Sequence, residues 1–111
     1  MCLFFVIYVI ISNVMIDIDK IISKLKELKP DLEKDYDITE LGVFGSFARN
    51  EQTEKSDIDI LIDYKKGTSI LKLGGLQYML SELFNIKVDL VMKKSLKKQI
   101  GKQILSEVIY V

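Results

Sequence analysis

The sequence predicts an α/β fold: a small mixed sheet of about three strands with helices packed against it. Three observations carry that expectation. Apolar residues recur at helical spacing in stretches 16–36, 69–84 and 95–108. Three short runs, 38–44, 57–64 and 87–92, are rich in Ile, Val and Leu and read as strands. The two patterns alternate along a chain of 111 residues, long enough for one core, and no repeat, low-complexity tract or linker interrupts residues 16–111.

The elements follow in order. Residues 2–11 are continuously apolar, about half of the roughly 20 residues that span a bilayer. No basic residue precedes the run and no small-residue cleavage site follows it, so it makes a poor signal peptide. It reads as an extra strand, as a hydrophobic helix, or as residues upstream of a start at Met15. The last is preferred: 1–15 is taken as an apolar extension without chemistry and 16–111 as the single domain. Ile18, Ile21, Ile22, Leu25 and Leu28 then mark a helix, capped by Asp17 or Asp19 and ended, or restarted toward Tyr36, by Pro30. Residues 38–44 form the first strand, 46–50 a short helical turn, 51–56 a polar loop and 57–64 the second strand. In the helix over 69–84, Ile70, Leu71, Leu73, Leu76, Met79, Leu80, Leu83 and Phe84 give a wide buried face. Gly74-Gly75 within it reads as a close approach to the sheet, and Asn85 as a left-handed terminator. Residues 87–92 are the third strand, and 95–108 a last helix with Leu96, Ile100, Ile104 and Val108 at i+4 steps.

Composition narrows the function. Formal net charge is zero, which disfavours nucleic acid as the principal partner, since grip on a phosphate backbone needs basic surface. A single cysteine, Cys2, excludes an internal disulfide, and with no histidine a zinc site is not expected; a reducing cytoplasm is the natural setting.

The chemistry concentrates in GSFARNEQTEKSDID, residues 45–59. In a strand side chains alternate faces, so Asp57 and Asp59 point one way and Ile58, Ile60, Ile62 and Tyr64 the other, into a core. Adjacent carboxylates repel unless a cation lies between them, and a hard divalent ion such as Mg²⁺ prefers oxygen ligands. Gly45 lets backbone approach a ligand, and the N–H groups after it, with the Ser46 hydroxyl, suit phosphate oxygens. In the third strand Asp89 is a charge within an apolar run, costly without a partner. Together these features point to phosphoryl or nucleotidyl transfer.

Gly45-Ser46, ten residues, then Asp57-x-Asp59 resembles the signature of the DNA-polymerase-β-like nucleotidyltransferase superfamily. At this length the chain is most similar to the minimal nucleotidyltransferase (MNT) family, whose members often act as antitoxins paired with HEPN-domain toxins. The resemblance implies a polymerase-β-like core in which Asp57, Asp59 and Asp89 bind two Mg²⁺ and Gly45, Ser46 and Arg49 meet the nucleotide. It also implies transfer of AMP from ATP to a tyrosine hydroxyl of a cognate HEPN toxin, in complex with that partner; no membrane is expected, because the apolar run is too short to span one. The alternatives are an MNT-fold subunit of weak chemistry that neutralises its partner by binding, or nucleotidyl transfer to a small molecule.

Each residue also has a structural reading. Asp57 and Asp59 could blunt a strand edge, and Asp89 could lie exposed on an edge strand. Asp63 continues their face and reads as solvent-facing; Ser46 reads as a helix cap and Arg49 as a surface arginine. Asn50 stands where the resembled family commonly has Gly, but Asn tolerates a left-handed backbone. Lys93, Lys94, Lys97, Lys98 and Lys102 read as a solvated helix face, or as contacts for a triphosphate or an acidic partner.

Overall fold

A computed structural model describes residues 16–111; the extension expected over 1–15 lies outside the described residues. The chain runs α1 (Ile18–Tyr36), β1 (Ile38–Phe44), α2 (Gly45–Ala48), β2 (Ile58–Tyr64), α3 (Ile70–Phe84), β3 (Val88–Met92), a 3₁₀ turn (Lys93–Ser95), α4 (Lys98–Glu107) and β4 (Ile109–Tyr110). The sheet order is β3-β2-β1-β4, with β2 and β3 parallel and the other neighbours antiparallel. The mixed α/β architecture is as expected, with four strands rather than about three.

The fourth strand follows the last helix, over residues to which the sequence assigned no element. Helix α4 begins only at Lys98 and stops at Glu107, and Ile109 and Tyr110 then pair with Val43 and Gly42 along the open edge of β1. Gly42 makes room: a Cβ there would stand 2.6 Å from Val108 Cγ2. Pairing satisfies an edge that would otherwise expose its backbone groups. Ile100, expected on the buried stripe, is 59% exposed, while Gly101 and Ile104 are buried.

Helix α1 passes through Pro30 unbroken, against the expected stop. Proline removes one interior hydrogen bond, but Leu25 and Leu32 are buried on either side of it, and their packing holds the helix together. Its N-cap is Asp17, whose carboxylate accepts from the Lys20 N–H at 3.0 Å. It ends at Asp37 in the left-handed region, φ 58°.

Helix α3 buries a narrower stripe than expected. Leu73, Leu76, Leu80 and Phe84 are buried, but Ile70 and Leu71 are exposed, and Cβ atoms added at Gly74 and Gly75 would meet nothing within 4 Å. The glycine pair therefore faces open space and makes no close approach to the sheet. Asn85 does terminate the helix in the left-handed region, φ 54°.

The sheet has two unequal faces. Ile58, Ile60 and Ile62 of β2 join Ile21, Leu25, Leu76 and Leu80 in the main core beneath α1 and α3. On the other face Leu61 and Phe44 pack with Ile104 of α4, flanked by Val91, Leu96 and Val108. That cover stops short of Asp57, Asp59 and Asp89, whose end of the sheet stays accessible.

Candidate active site

The site is built where β1 turns into α2 beside β2. Phe44, the last residue of β1, is paired with Asp59, so the next residue turns directly above that carboxylate. Gly45 takes φ +76°, and a Cβ on it would overlap Asp59 Oδ2 and lie 3.0 Å from its Cγ. Only glycine satisfies both the backbone conformation and the contact. Asn50 is likewise left-handed, φ 57°, so the turn after Ala48-Arg49 closes without a glycine.

Ser46 lies within the first turn of α2 and does not cap it. The capping position is Phe44, with no side-chain hydrogen bond, and the Ser46 carbonyl accepts from the Glu51 N–H at 2.9 Å. Among the described residues the Ser46 hydroxyl has no hydrogen-bond partner, which leaves it available to a ligand.

The acidic residues come together across two strands. Asp57 immediately precedes β2 rather than opening it, Asp59 lies within it, and Asp59 is paired in parallel register with Asp89 of β3. Asp57 and Asp89 are half-exposed and share one cation: Lys87 Nζ is 4.0 Å from Asp57 Oδ2 and 3.8 Å from Asp89 Oδ1. Burial pushes the Asp59 carboxyl above the ordinary carboxylate range; the charges of Asp89, Asp57 and Glu107 push the same way, and Arg49 opposes them. The carboxylates thus repel, as the sequence suggested.

These residues fit a divalent cation in donor chemistry: hard carboxylate oxygens on neighbouring strands, with Asp57 and Asp89 already drawn to one ammonium group. They are not a closed cage. Among the described residues no group of three or more acidic, Cys or His side chains is arranged to hold a metal ion by itself.

Arg49 caps the end of α2 and is already engaged. Its Nε donates to Glu51 Oε2 at 3.0 Å and its Nη1 to Glu107 Oε2 at 2.6 Å, and both bonds hold the guanidinium pKa above its usual value. Glu107 and Lys87 escaped the sequence reading. Lys87 was legible from period-two spacing, which puts it on the face of Asp89. Glu107 was not, since it meets Arg49 only through the return of α4 onto the sheet.

Asp63 is not solvent-facing as expected. Its carboxylate is 3.3 Å from Lys94 Nζ and accepts from the Tyr64 N–H at 3.0 Å. Lys94 also donates to the Tyr64 carbonyl and lies over the Tyr64 ring, while Lys93 pairs with Glu40 at 2.7 Å. Those two lysines are committed to contacts at the far end of β2, whereas Lys97, Lys98 and Lys102 stay exposed. A cleft of about 740 Å³, lined by Phe47, the 52–57 loop and residues 85–87, touches the site only at Asp57 and Lys87.

The mixed sheet with its flanking helices is the fold of the nucleotidyltransferases. The chain belongs to the nucleotidyltransferase domain family, whose model matches residues 18–111. It is 44% identical over 97 residues to the protein adenylyltransferase MntA of Thermococcus cleftensis, a match covering 87% of this chain and 98% of that protein. A solved structure described as a minimal nucleotidyltransferase superposes with TM-score 0.74 at 27% identity, over 86% of this chain and 96% of that one. A chain from the crystal structure of a toxin–antitoxin with AMP-PNP shares the fold, with TM-score 0.64 at 22% identity over 76% and 69% of the two chains. No helix among the described residues is long and apolar enough to cross a membrane.

Proposed function

We propose that this chain transfers AMP from ATP to a hydroxyl, the tyrosine of a cognate HEPN toxin, and so acts as the antitoxin of a pair in the cytoplasm. The observation that carries the reading is Gly45 pressed against Asp59, itself paired with Asp89: the turn suited to phosphate adjoins the carboxylates suited to metal. The name of the Thermococcus relative and the toxin–antitoxin complex with the same fold support it.

In this reading Asp57, Asp59 and Asp89 would hold two Mg²⁺, which would supply positive charge against the negative charge of the triphosphate. Gly45 admits the phosphates close to the backbone, the Ser46 hydroxyl donates to a phosphate oxygen, and Arg49 adds charge at the rim. The acceptor oxygen bonds to the α-phosphorus as the α–β bridging bond breaks. Asp89 lies on the outer strand of the carboxylate pair, where it can take the acceptor proton.

The test is transfer of labelled AMP from ATP and Mg²⁺ to the candidate toxin, with wild type and with Asp57→Asn/Asp59→Asn. Labelling should fall by at least about 100-fold in the variant, as loss of metal binding predicts. Tight complex formation without labelling by wild type would replace this reading with the binding-subunit alternative. Label on a small molecule instead of the protein would move the acceptor.

A further inference from the structure

We infer that Glu107 is a positioning residue for nucleotide binding, anchoring the Arg49 guanidinium at the border of the Asp57–Asp59–Asp89 cluster so that its free N–H groups face an incoming phosphate. The inference rests on the nucleotide reading above and names a residue remote in sequence on which that reading depends.

The two grips on Arg49 are unequal. Glu51 is 65% exposed, and an exposed ion pair of this kind holds a side chain only weakly. Glu107 is 15% exposed, its bond to Nη1 is the shorter at 2.6 Å, and the backbone that carries it is held at several points. That backbone is the C-terminal segment. The Val108 N–H donates to the Ile104 carbonyl at 3.0 Å, Ile109 and Tyr110 pair with β1, and the Val111 N–H donates to the Leu41 carbonyl at 2.8 Å. Lys29 Nζ donates to the Val111 carbonyl at 2.7 Å from the far side. Glu107 therefore projects from a segment tied to β1 and α1.

Arg49 itself leaves α2 just after the Gly45-Ser46 turn. A guanidinium has five N–H donors in one plane. Fixing Nε and one Nη1 hydrogen leaves the Nη2 amino group without a partner among the described residues, with its direction set. An arginine so fixed loses less freedom when it meets a phosphate than one free in solvent. The Arg49 N–H donates to the Gly45 carbonyl at 3.1 Å, and Gly45 lies against the Asp59 carboxylate, so Arg49 is tied to the residue that borders the cluster.

The experiment measures ATP binding with Mg²⁺ by calorimetry on the full chain, for wild type, Glu107→Gln, Glu107→Asp, Arg49→Ala and the Arg49→Ala/Glu107→Gln pair. Thermal melts of each accompany the titrations. Glu107→Gln should weaken ATP by about three- to tenfold, as expected for losing one charge-assisted contact. Glu107→Asp should recover part of that loss. The same substitution should do nothing further in the Arg49→Ala background, because the effect passes through the guanidinium. A strap that merely ties α4 down predicts a lower melting temperature with unchanged ATP affinity, and that result overturns the inference, as does tighter binding by Glu107→Gln. Absence of ATP binding by wild type would instead remove the nucleotide reading itself, and this inference with it.

Discussion

A methyl group on residue 45 would occupy the space of Asp59 Oδ2, on a backbone at φ +76° that disfavours any side chain. Gly45→Ala therefore has to move either the turn or the carboxylate. We expect a stability loss of about 1–3 kcal/mol from the backbone strain and overlap, with AMP transfer reduced far more than that loss explains. Urea unfolding alongside the labelling assay separates the two. Asp59 supports a second expectation, in pH. Its carboxyl is raised above the ordinary aspartate range, chiefly by burial and then by Asp89. A raised folded-state value means that the stability lent by neutral Asp59 is complete below the unfolded value and is lost as pH rises through the folded one. Asp59→Asn should therefore melt with wild type at pH below the ordinary carboxylate value and above it at neutral pH, both in chelator. Equal melting temperatures at neutral pH would mean that the repulsion around Asp59 is already relieved. Adding Mg²⁺ should stabilise wild type and not the variant.

Periodicity carried the strands that hold the chemistry, because each lies between a core face and a face that bears charge. Parity set Asp57 and Asp59 opposite Ile58 and Ile60 in one strand and Asp89 opposite Val88 in another, and the structure keeps both divisions and pairs Asp59 with Asp89. It fails for β4, whose two residues are both exposed and carry no alternation. It fails also in α3, where an apolar composition exceeds what the sheet can cover: Ile70 and Leu71 remain 67% and 84% exposed. Glycines in that helix looked like contact points for the same reason and are instead a conformational cost. Gly74→Ala should stabilise the chain by about 0.5–1 kcal/mol, since nothing obstructs a Cβ and alanine favours the helix. Denaturant unfolding reads this directly, and a loss of stability would mean the backbone at 74 needs glycine after all.

At the scale of the whole molecule the site is a boundary. One face of the sheet is fully covered by α1 and α3, while α4 covers the other only from Leu61 outward, through Ile104. The uncovered half carries the carboxylates, and the last residue of α4, Glu107, meets Arg49 along the dividing line. No local pattern could show this: Arg49 and Glu107 are 58 residues apart, and their meeting depends on β4 closing the edge of β1. Gly42 is the residue that permits the closure, because a Cβ there would press on Val108 at 2.6 Å and on the Ile109 carbonyl at 3.1 Å. Gly42→Ala should thus cost about 1–3 kcal/mol by overpacking and displace the segment that carries Glu107. ATP affinity should fall in step with Glu107→Gln, although residue 42 touches neither the carboxylates nor the glycine turn. Calorimetry on Gly42→Ala below its melting temperature makes the comparison. Wild-type affinity in a folded Gly42→Ala protein would show that the nucleotide site is complete without the C-terminal segment, and that β4 serves only to close the sheet.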